Sequence, residues 1–91
     1  MVGYRHEKSG VVGRLRRIEG QIRGVEKMVE EDRYCIEVLT QVSAARAALE
    51  SVALLLLREH TEHCVADAIS AGDPGPKVRE LSDAIERMVR S

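Results

Sequence analysis

Three residues of this 91-residue chain combine side chains that bind soft metal ions with a spacing that suits a helix. His60 and Cys64 are four residues apart, so on a helix they lie one turn apart on the same face. Cys35, the other cysteine, precedes His60 by 25 residues. Two thiolates and one imidazole suit copper(I), whereas zinc would take a fourth ligand. The alternative is that the cysteines are small apolar core residues and that the His–Cys spacing is a coincidence.

Hydrophobic periodicity predicts three helices to carry these residues. The stripe of the first has spacings of four and three and consists of Val11, Leu15, Ile18, Ile22, Val25 and Val29. We expect Asp32 to cap the second, which runs from about Arg33 to about Ala71 without proline or glycine. The glycines and prolines of residues 72–76 stop it. The inner face of the third contains Val78, Leu81, Ile85 and Met88. We expect an all-α, three-helix protomer in which residues 1–91 form one domain.

The second helix is too long for one chain to cover. At 1.5 Å per residue it measures roughly 55 Å, and Cys35 lies about 37 Å from the His60–Cys64 pair. An antiparallel helix from a second copy, crossing near the alanine-rich residues 43–49, would bring Cys35 of one chain to His60 and Cys64 of the other. Exposed apolar surface favours such pairing, and two-fold symmetry is its commonest form. The spacing therefore predicts an obligate oligomer with sites across the interface.

Charge is concentrated at the N-terminal end, although the net charge is only −1. Residues 1–27 contain seven Lys or Arg against three Glu. On a helical wheel the basic side chains flank Gly13, Gly20 and Gly24, which leaves a surface poor in side chains. We expect this surface to lie against a DNA phosphate backbone; a merely solvated charged face is the alternative. The candidate DNA-contact residues are Arg14, Arg16, Arg17, Arg23 and Lys27.

Other classes of function find less support in the sequence. We expect a cytoplasmic protein with no membrane partner, because no export signal and no apolar run of spanning length is visible. Two cysteines in such a chain suit a reducing compartment. No glycine-rich oxyanion or phosphate loop is evident, so we expect no enzyme. A copper buffer without specific DNA binding and a purely structural oligomer remain alternatives.

Three segments resemble the CsoR/RcnR family of metal- and thiol-responsive bacterial repressors. They are residues 14–21 (RLRRIEGQ), 34–44 (YCIEVLTQVSA) and 60–64 (HTEHC). The resemblance covers nearly the whole chain and implies a three-helix protomer, an antiparallel dimer and a tetramer. It also implies that the apo form binds operator DNA and that an inducer releases it, so that efflux or detoxification genes are transcribed.

The same resemblance implies roles for particular residues. Cys35, His60 and Cys64 match the ligands of the copper(I) sensors in the family. Tyr34 and Glu80 match residues near the metal-bound histidine, where a partner for the free ring nitrogen fixes the tautomer. Family members also have a basic DNA contact in the middle of the second helix, where this chain has Ser51. We expect Arg46 to replace that contact.

Related sensors differ at few positions. Nickel and cobalt sensors have a histidine where this chain has Gly3, and His6 nearby keeps that alternative open. Formaldehyde sensors have a proline at the position of Val2. Persulfide sensors keep both cysteines but lack the histidine at position 60. Sensing of a persulfide or of thiol oxidation, including a disulfide between subunits, is therefore the second interpretation.

Overall fold

The chain is helical in the computed structural model, which describes residues 3–90 and has no β-strand within that range. The predicted all-α class is confirmed. Val2 lies outside the described residues. In chain order, the helices are a 3-10 turn (Arg5–Glu7), α1 (Lys8–Glu30), α2 (Cys35–Glu59), a π-helical segment (His60–Val65), α3 (Ala66–Ser70) and α4 (Gly75–Arg90). The second predicted helix thus corresponds to α2, the π-helical segment and α3 in succession.

Asp32 ends α1 instead of capping α2, so that expectation was wrong. Its backbone has φ 56°, and its N–H donates to the Val29 carbonyl at 3.1 Å. The Arg33 N–H donates to the Met28 carbonyl at 3.0 Å. This pair of hydrogen bonds is the Schellman arrangement, in which the left-handed residue terminates the helix. α2 then begins afresh, with the Val38 N–H donating to the Tyr34 carbonyl at 3.2 Å.

The glycine- and proline-rich residues after α3 act as the sequence predicts. Gly72 has φ 83° and donates to the Ile69 carbonyl at 3.0 Å, which closes a second Schellman turn. Pro76 lies in the first turn of α4, where a missing N–H leaves no helical hydrogen bond unmade. The Val78 N–H donates to the Pro74 carbonyl at 2.9 Å.

The described chain divides into two compact units, and residues 6–55 form the first. In this unit the apolar residues of α1 form two rows along the helix, one buried and one exposed. Val11 and Ile18 are buried, whereas Leu15, Ile22 and Val29 are 38%, 46% and 59% exposed. Residues seven apart share a helix face, so the exposed row forms a continuous strip. The single-domain prediction for residues 1–91 stays a prediction.

The α2 residues of this unit show the same division. Ala45, Val52 and Leu55 are buried, while apolar side chains at other positions remain exposed within the chain. The exposed set includes Ile36, Leu39, Val42, Leu49 and Leu54. The exposed apolar side chains of α2 are thus available for contact with something outside the chain.

This apolar surface also bears on one sequence expectation. Within Cys35–Ser70, a window of 18 residues has a mean hydropathy of 1.3, so by length and composition alone this helical stretch could cross a membrane. The sequence contains no unbroken apolar run of that length, because scattered Leu, Val and Ala raise the mean without forming one. Only 17% of the window is buried within the chain. Core helices of soluble proteins can have the same length and mean hydropathy. These values therefore indicate apolar surface on this helix without showing whether protein or membrane covers it.

Residues 3–5 and 56–90 form the second compact unit. Here α4 packs against the π-helical segment, in which Val65 is buried. The predicted inner face of the third helix is only partly covered, since Val78 and Ile85 are 43% and 41% exposed. This unit contains two of the three predicted metal ligands.

The two Schellman turns predict opposite effects of substitution on stability. Replacing Asp32 with Gly removes a side chain from a left-handed backbone and should raise the free energy of unfolding by about 1 kcal/mol. Gly72→Ala introduces the same strain and should lower it by about 1 kcal/mol. Urea unfolding followed by circular dichroism measures both. If the two changes shift stability in the same direction, backbone strain does not govern these turns.

Candidate functional site

His60 and Cys64 both lie in the π-helical segment that continues α2. The wider π turn closes hydrogen bonds between residues five apart, so residues four apart stay on the same turn. The side chain of His60 is 30% exposed, and Cys64 is half-buried. Single π turns inside helices occur frequently at functional sites. The spacing predicted from the sequence is therefore retained, although the backbone that provides it is not an α-helix.

Glu80 of α4 contacts the ring of His60. The Nε2 atom of His60 lies 3.5 Å from the Glu80 Oε1, and the Lys77 Nζ lies 3.7 Å from that same oxygen. A carboxylate facing one ring nitrogen favours the tautomer that carries a proton there. Nδ1 is then the nitrogen with a lone pair for a metal ion. The position predicted for Glu80 from the family resemblance thus lies beside the candidate ligand.

The backbone of Gly3 packs directly against this pair. Gly3 is buried, and a Cβ atom built on it would lie 2.8 Å from the Cα of His60 and 3.1 Å from the Sγ of Cys64. The same Cβ would lie 2.9 Å from the carbonyl oxygen of Glu59. Two of these contacts are below the 3.0 Å that real Cβ atoms essentially never show. Only glycine fits here, so residue 3 covers one side of the His60–Cys64 turn.

Each cysteine borders a hollow in its own unit. Both are thiols and not half of an intrachain disulfide. The hollow beside Cys64 measures about 320 Å³ and is also lined by Asp67, Ala68 and Lys77. The hollow beside the exposed Cys35 measures about 360 Å³ and is lined mainly by apolar side chains, with Asp32 and Arg33 at its edge. Each cysteine therefore lies beside an open hollow.

A single chain does not bring all three predicted ligands together along its own helix. Cys35 is the first residue of α2, and the helix is unbroken to Glu59, the residue before His60. Those residues span about 36 Å at 1.5 Å per residue. Tyr34 lies beside Cys35 and is 69% exposed. Cys35 and Tyr34 thus stand at one end of the helix, and His60 follows the other end.

The candidate DNA-contact residues of α1 are all exposed. Arg14 and Arg17 line a hollow of about 290 Å³ together with Gln21 and Ser51. Position 51, where family members have a basic residue, thus faces the same hollow as two arginines. Arg46 does not line it and instead pairs with Glu50, its Nε atom 3.6 Å from the Oε1. The expectation that Arg46 replaces the contact at position 51 gains no support from this geometry.

The glycines between the arginines face open space. A Cβ atom added to Gly13, Gly20 or Gly24 would meet nothing within 4 Å. Packing within the chain therefore does not require glycine at these helical positions, where each costs about 1 kcal/mol relative to Ala. None of the five basic candidates on α1 forms an ion pair with another residue of the range 3–90. They are Arg14, Arg16, Arg17, Arg23 and Lys27.

Sequence reasoning missed three features of the site. The π-helical segment, the close approach of Gly3 and the position of Lys77 beside Cys64 and Glu80 appear only in the structure. Periodicity gave no signal for any of them. The only available signal for Gly3 was its correspondence to the histidine position of nickel and cobalt sensors.

An all-helical chain with a His–Cys pair at one end of a long helix and unpaired arginines along another has the features of a metal-responsive DNA-binding protein. Residues 7–87 match the family model of the metal-sensitive transcriptional repressors. The chain belongs to this family. It is 56% identical to the copper-sensing transcriptional repressor RicR of Mycobacterium tuberculosis, over 98% of this chain and 95% of that protein. It is 51% identical to the copper-sensing repressor CsoR of Bacillus subtilis, over 93% and 84% of the two chains.

Two solved structures have the same fold. The copper-sensing repressor CsoR of Geobacillus thermodenitrificans, crystallised with Cu(I), matches with a TM-score of 0.89 and 49% identity. That match covers 93% of this chain and 88% of the other. The nickel-responsive regulator InrS matches with a TM-score of 0.78 and 47% identity, over 87% of this chain and 89% of its own.

The packing of Gly3 generates a prediction about the reactivity of Cys64. In a Cys35→Ser background, Gly3→Ala should push residue 3 away from the His60–Cys64 turn, because the added methyl group cannot fit. Cys64 should then react several-fold faster with a thiol reagent such as dithionitrobenzoate. Gly13→Ala, which adds the same methyl group in open space, should leave the rate unchanged. An equal rate in all three proteins would show that residue 3 does not shield Cys64.

Proposed function

We propose that this protein is a copper(I)-responsive transcriptional repressor. The apo form binds operator DNA, and copper(I) bound by Cys35 of one chain and His60 and Cys64 of another releases it, so that copper efflux genes are transcribed. One observation carries the proposal: His60 and Cys64 share a turn, with the His60 Nε2 facing Glu80 at 3.5 Å. The names of the relatives that sense copper support it.

The choice of copper rests on the ligand set and not on overall similarity. Identity to the nickel-responsive structure is 47% and to the Cu(I)-bound structure 49%, so whole-chain similarity does not separate the two metals. Two thiols and one imidazole suit copper(I), which accepts low coordination numbers. Gly3 packs against the His60–Cys64 turn but has no side chain that could act as a fourth ligand. His6 lies in the Arg5–Glu7 turn and is exposed.

The proposal requires a second copy of the chain, and the exposed apolar rows supply the surface for it. Leu15, Ile22 and Val29 on α1 and the exposed apolar residues of α2 are only partly covered by the described residues. Burial of apolar area contributes roughly 25 cal/mol per Å², which favours association through these strips. In an antiparallel dimer, the Cys35 end of one α2 meets the His60 end of the other. Two dimers then form the tetramer implied by the family resemblance.

The mechanism follows from the residues around His60. Cys35 of one chain and His60 and Cys64 of the other would hold the copper, whose positive charge would stabilise the two thiolates beside the imidazole. Glu80 holds the His60 ring in one tautomer and ties the π-helical segment to α4, while Tyr34 extends the same contact from the partner copy. Movement of α4 with the His60 ring is therefore the step that couples the ligands to DNA binding. Coupling free energies of this kind are typically about 1–3 kcal/mol.

The DNA-binding surface is the arginine- and glycine-rich face of α1. Arg14 and Arg17 beside the hollow at Ser51, together with the other basic residues of α1, contact phosphates, and the three glycines let the backbone approach closely. Binding to operator DNA places the protein in the bacterial cytoplasm. Phosphate contacts release counterions, so DNA affinity falls steeply as salt rises.

Sensing of thiol oxidation is the second candidate function. Its support is the exposure of Cys35, whose sulfur borders an open hollow. The contact between His60 and Glu80 favours the metal, because chemistry at the two sulfurs alone does not require an oriented imidazole. Loss of response in a histidine variant therefore separates the two candidates.

An anaerobic copper(I) titration read out by release of operator DNA tests the proposal. Wild type should release DNA as copper is added. His60→Ala removes a ligand and should neither bind copper tightly nor release DNA. Glu80→Ala keeps all three ligands, so it should bind copper but lose about 1–3 kcal/mol of coupling, equivalent to about 5- to 150-fold less change in DNA affinity. Normal release by His60→Ala would contradict the metal mechanism.

A mixing experiment checks that the ligands come from two chains. Cys35→Ser and Cys64→Ser should each bind copper poorly alone. Co-folded together, they should form mixed dimers in which one of the two sites is complete. Recovery of about a quarter of the wild-type copper sites fits random pairing of the two variants. No recovery from well-formed mixed dimers would place all three ligands in one chain.

Substitutions on the proposed DNA-binding face of α1 should separate DNA affinity from stability. Arg17→Ala should weaken operator binding without changing copper affinity, and it should reduce the salt dependence by about one phosphate contact. Gly20→Ala should raise helix stability by about 1 kcal/mol yet weaken DNA binding, because the methyl group enters the surface that meets the backbone. Fluorescence anisotropy with labelled operator DNA and thermal unfolding measure both. Unchanged DNA affinity in Gly20→Ala would move the contact away from the glycines.

A further inference from the structure

A second group of metal-binding side chains lies beside the proposed copper ligands but shares none of them. Glu59 is the last residue of α2, and Glu62 and His63 belong to the π-helical segment. One ligand atom from each of the three lies within 4.8 Å of the other two. Positions i, i+3 and i+4 of a helix face the same side, which explains why the three side chains converge.

Glu59 is the distinctive member of the group because its charge is buried. The residue is only 8% exposed and is the only charged residue among the buried ones of the described range. Burying a carboxylate is costly unless a hydrogen bond or an opposite charge compensates it. Within residues 3–90 its hydrogen bond is to the His63 ring, with 3.1 Å between the Glu59 Oε2 and the His63 Nε2. That hydrogen bond satisfies one of the two carboxylate oxygens.

The geometry suits a cation bound between these atoms. Tetrahedral ligands that bind one zinc ion at about 2.0–2.2 Å lie about 3.3–3.6 Å from each other. The 3.1 Å between the Glu59 and His63 atoms is slightly shorter, so these two side chains would separate slightly to admit the ion. Glu62 is exposed, its ligand atom lies within 4.8 Å of the other two, and solvent can supply the remaining ligands. Two carboxylates and one imidazole suit borderline divalent ions, not the soft copper(I).

We propose that Glu59, Glu62 and His63 form a second metal site, which binds a borderline divalent cation of the zinc type. The cation binds where His63 Nε2 and Glu59 share a hydrogen bond, with the ring proton moving to Nδ1 or to solvent, and its charge compensates the buried carboxylate. It links the last residue of α2 to the π-helical segment and so fixes the turn that carries His60 and Cys64. The site uses no copper ligand, so it does not depend on the proposed copper function.

Zinc titration of the full chain tests this site, with the sulfur ligands blocked in two ways. In one arm, wild type carries one equivalent of copper(I) per protomer; in the other, His60→Ala/Cys64→Ala is used without copper. We expect one zinc ion per protomer in both arms by isothermal titration calorimetry, and zinc should raise the melting temperature. Glu62→Gln and His63→Gln should each weaken zinc binding at least tenfold.

Glu26→Gln is the matched control, since it makes the same charge change at an exposed position on α1. It should bind zinc as the parent protein does. Glu62 is exposed, so its variant tests the site without disturbing the buried Glu59. The proposal is overturned if neither arm binds zinc, or if Glu62→Gln and His63→Gln bind it as tightly as Glu26→Gln does. Failure of copper binding alone would leave the second arm intact and would count only against the copper function.

Discussion

The length of the unbroken helix α2 determines how far apart the proposed metal ligands of one chain lie along that helix. α2 places Cys35 at its first residue and ends immediately before His60, about 36 Å away at 1.5 Å per residue. A chain cannot bend this helix to join the two without breaking many backbone hydrogen bonds. A site that needs both ends must therefore be completed by another copy. In the proposed dimer, ligand binding and assembly depend on each other, because the interface that buries apolar surface would also bring the proposed ligands together.

The six residues of the π-helical segment include four of the side chains proposed to bind metal ions. The segment presents His60 and Cys64 on one turn, while Glu62 and His63 converge on the buried Glu59. Gly3 covers the turn on one side, and Glu80 of α4 contacts the His60 ring. The turn therefore contacts residue 3 on one side and α4 through Glu80.

On the surface of α1, three glycines lower the stability of the helix, and the proposed contact with DNA explains why they are there. Three helical glycines face open space, although alanine at each would be more stable by about 1 kcal/mol. Basic side chains on both flanks, Arg14 and Arg17 among them, form no ion pair within the described range. Both features make sense if the partner of this face is a polyanion. The proposed DNA contact accounts for glycines and arginines with one cause.

The sequence by itself determined the helical class, the end of α3, and the placing of His60 and Cys64 on one turn, because periodicity and glycine or proline signals act locally. It misassigned Asp32, since a left-handed residue can end one helix as readily as cap the next. Only the tertiary structure decided that Gly3 lies against Cys64 and that Glu80 faces the His60 Nε2. The Gly3 contacts join residues separated by 57 and 61 positions in the sequence, and the His60–Glu80 contact joins residues separated by 20. No local pattern encodes them, because they depend on how separate segments pack together.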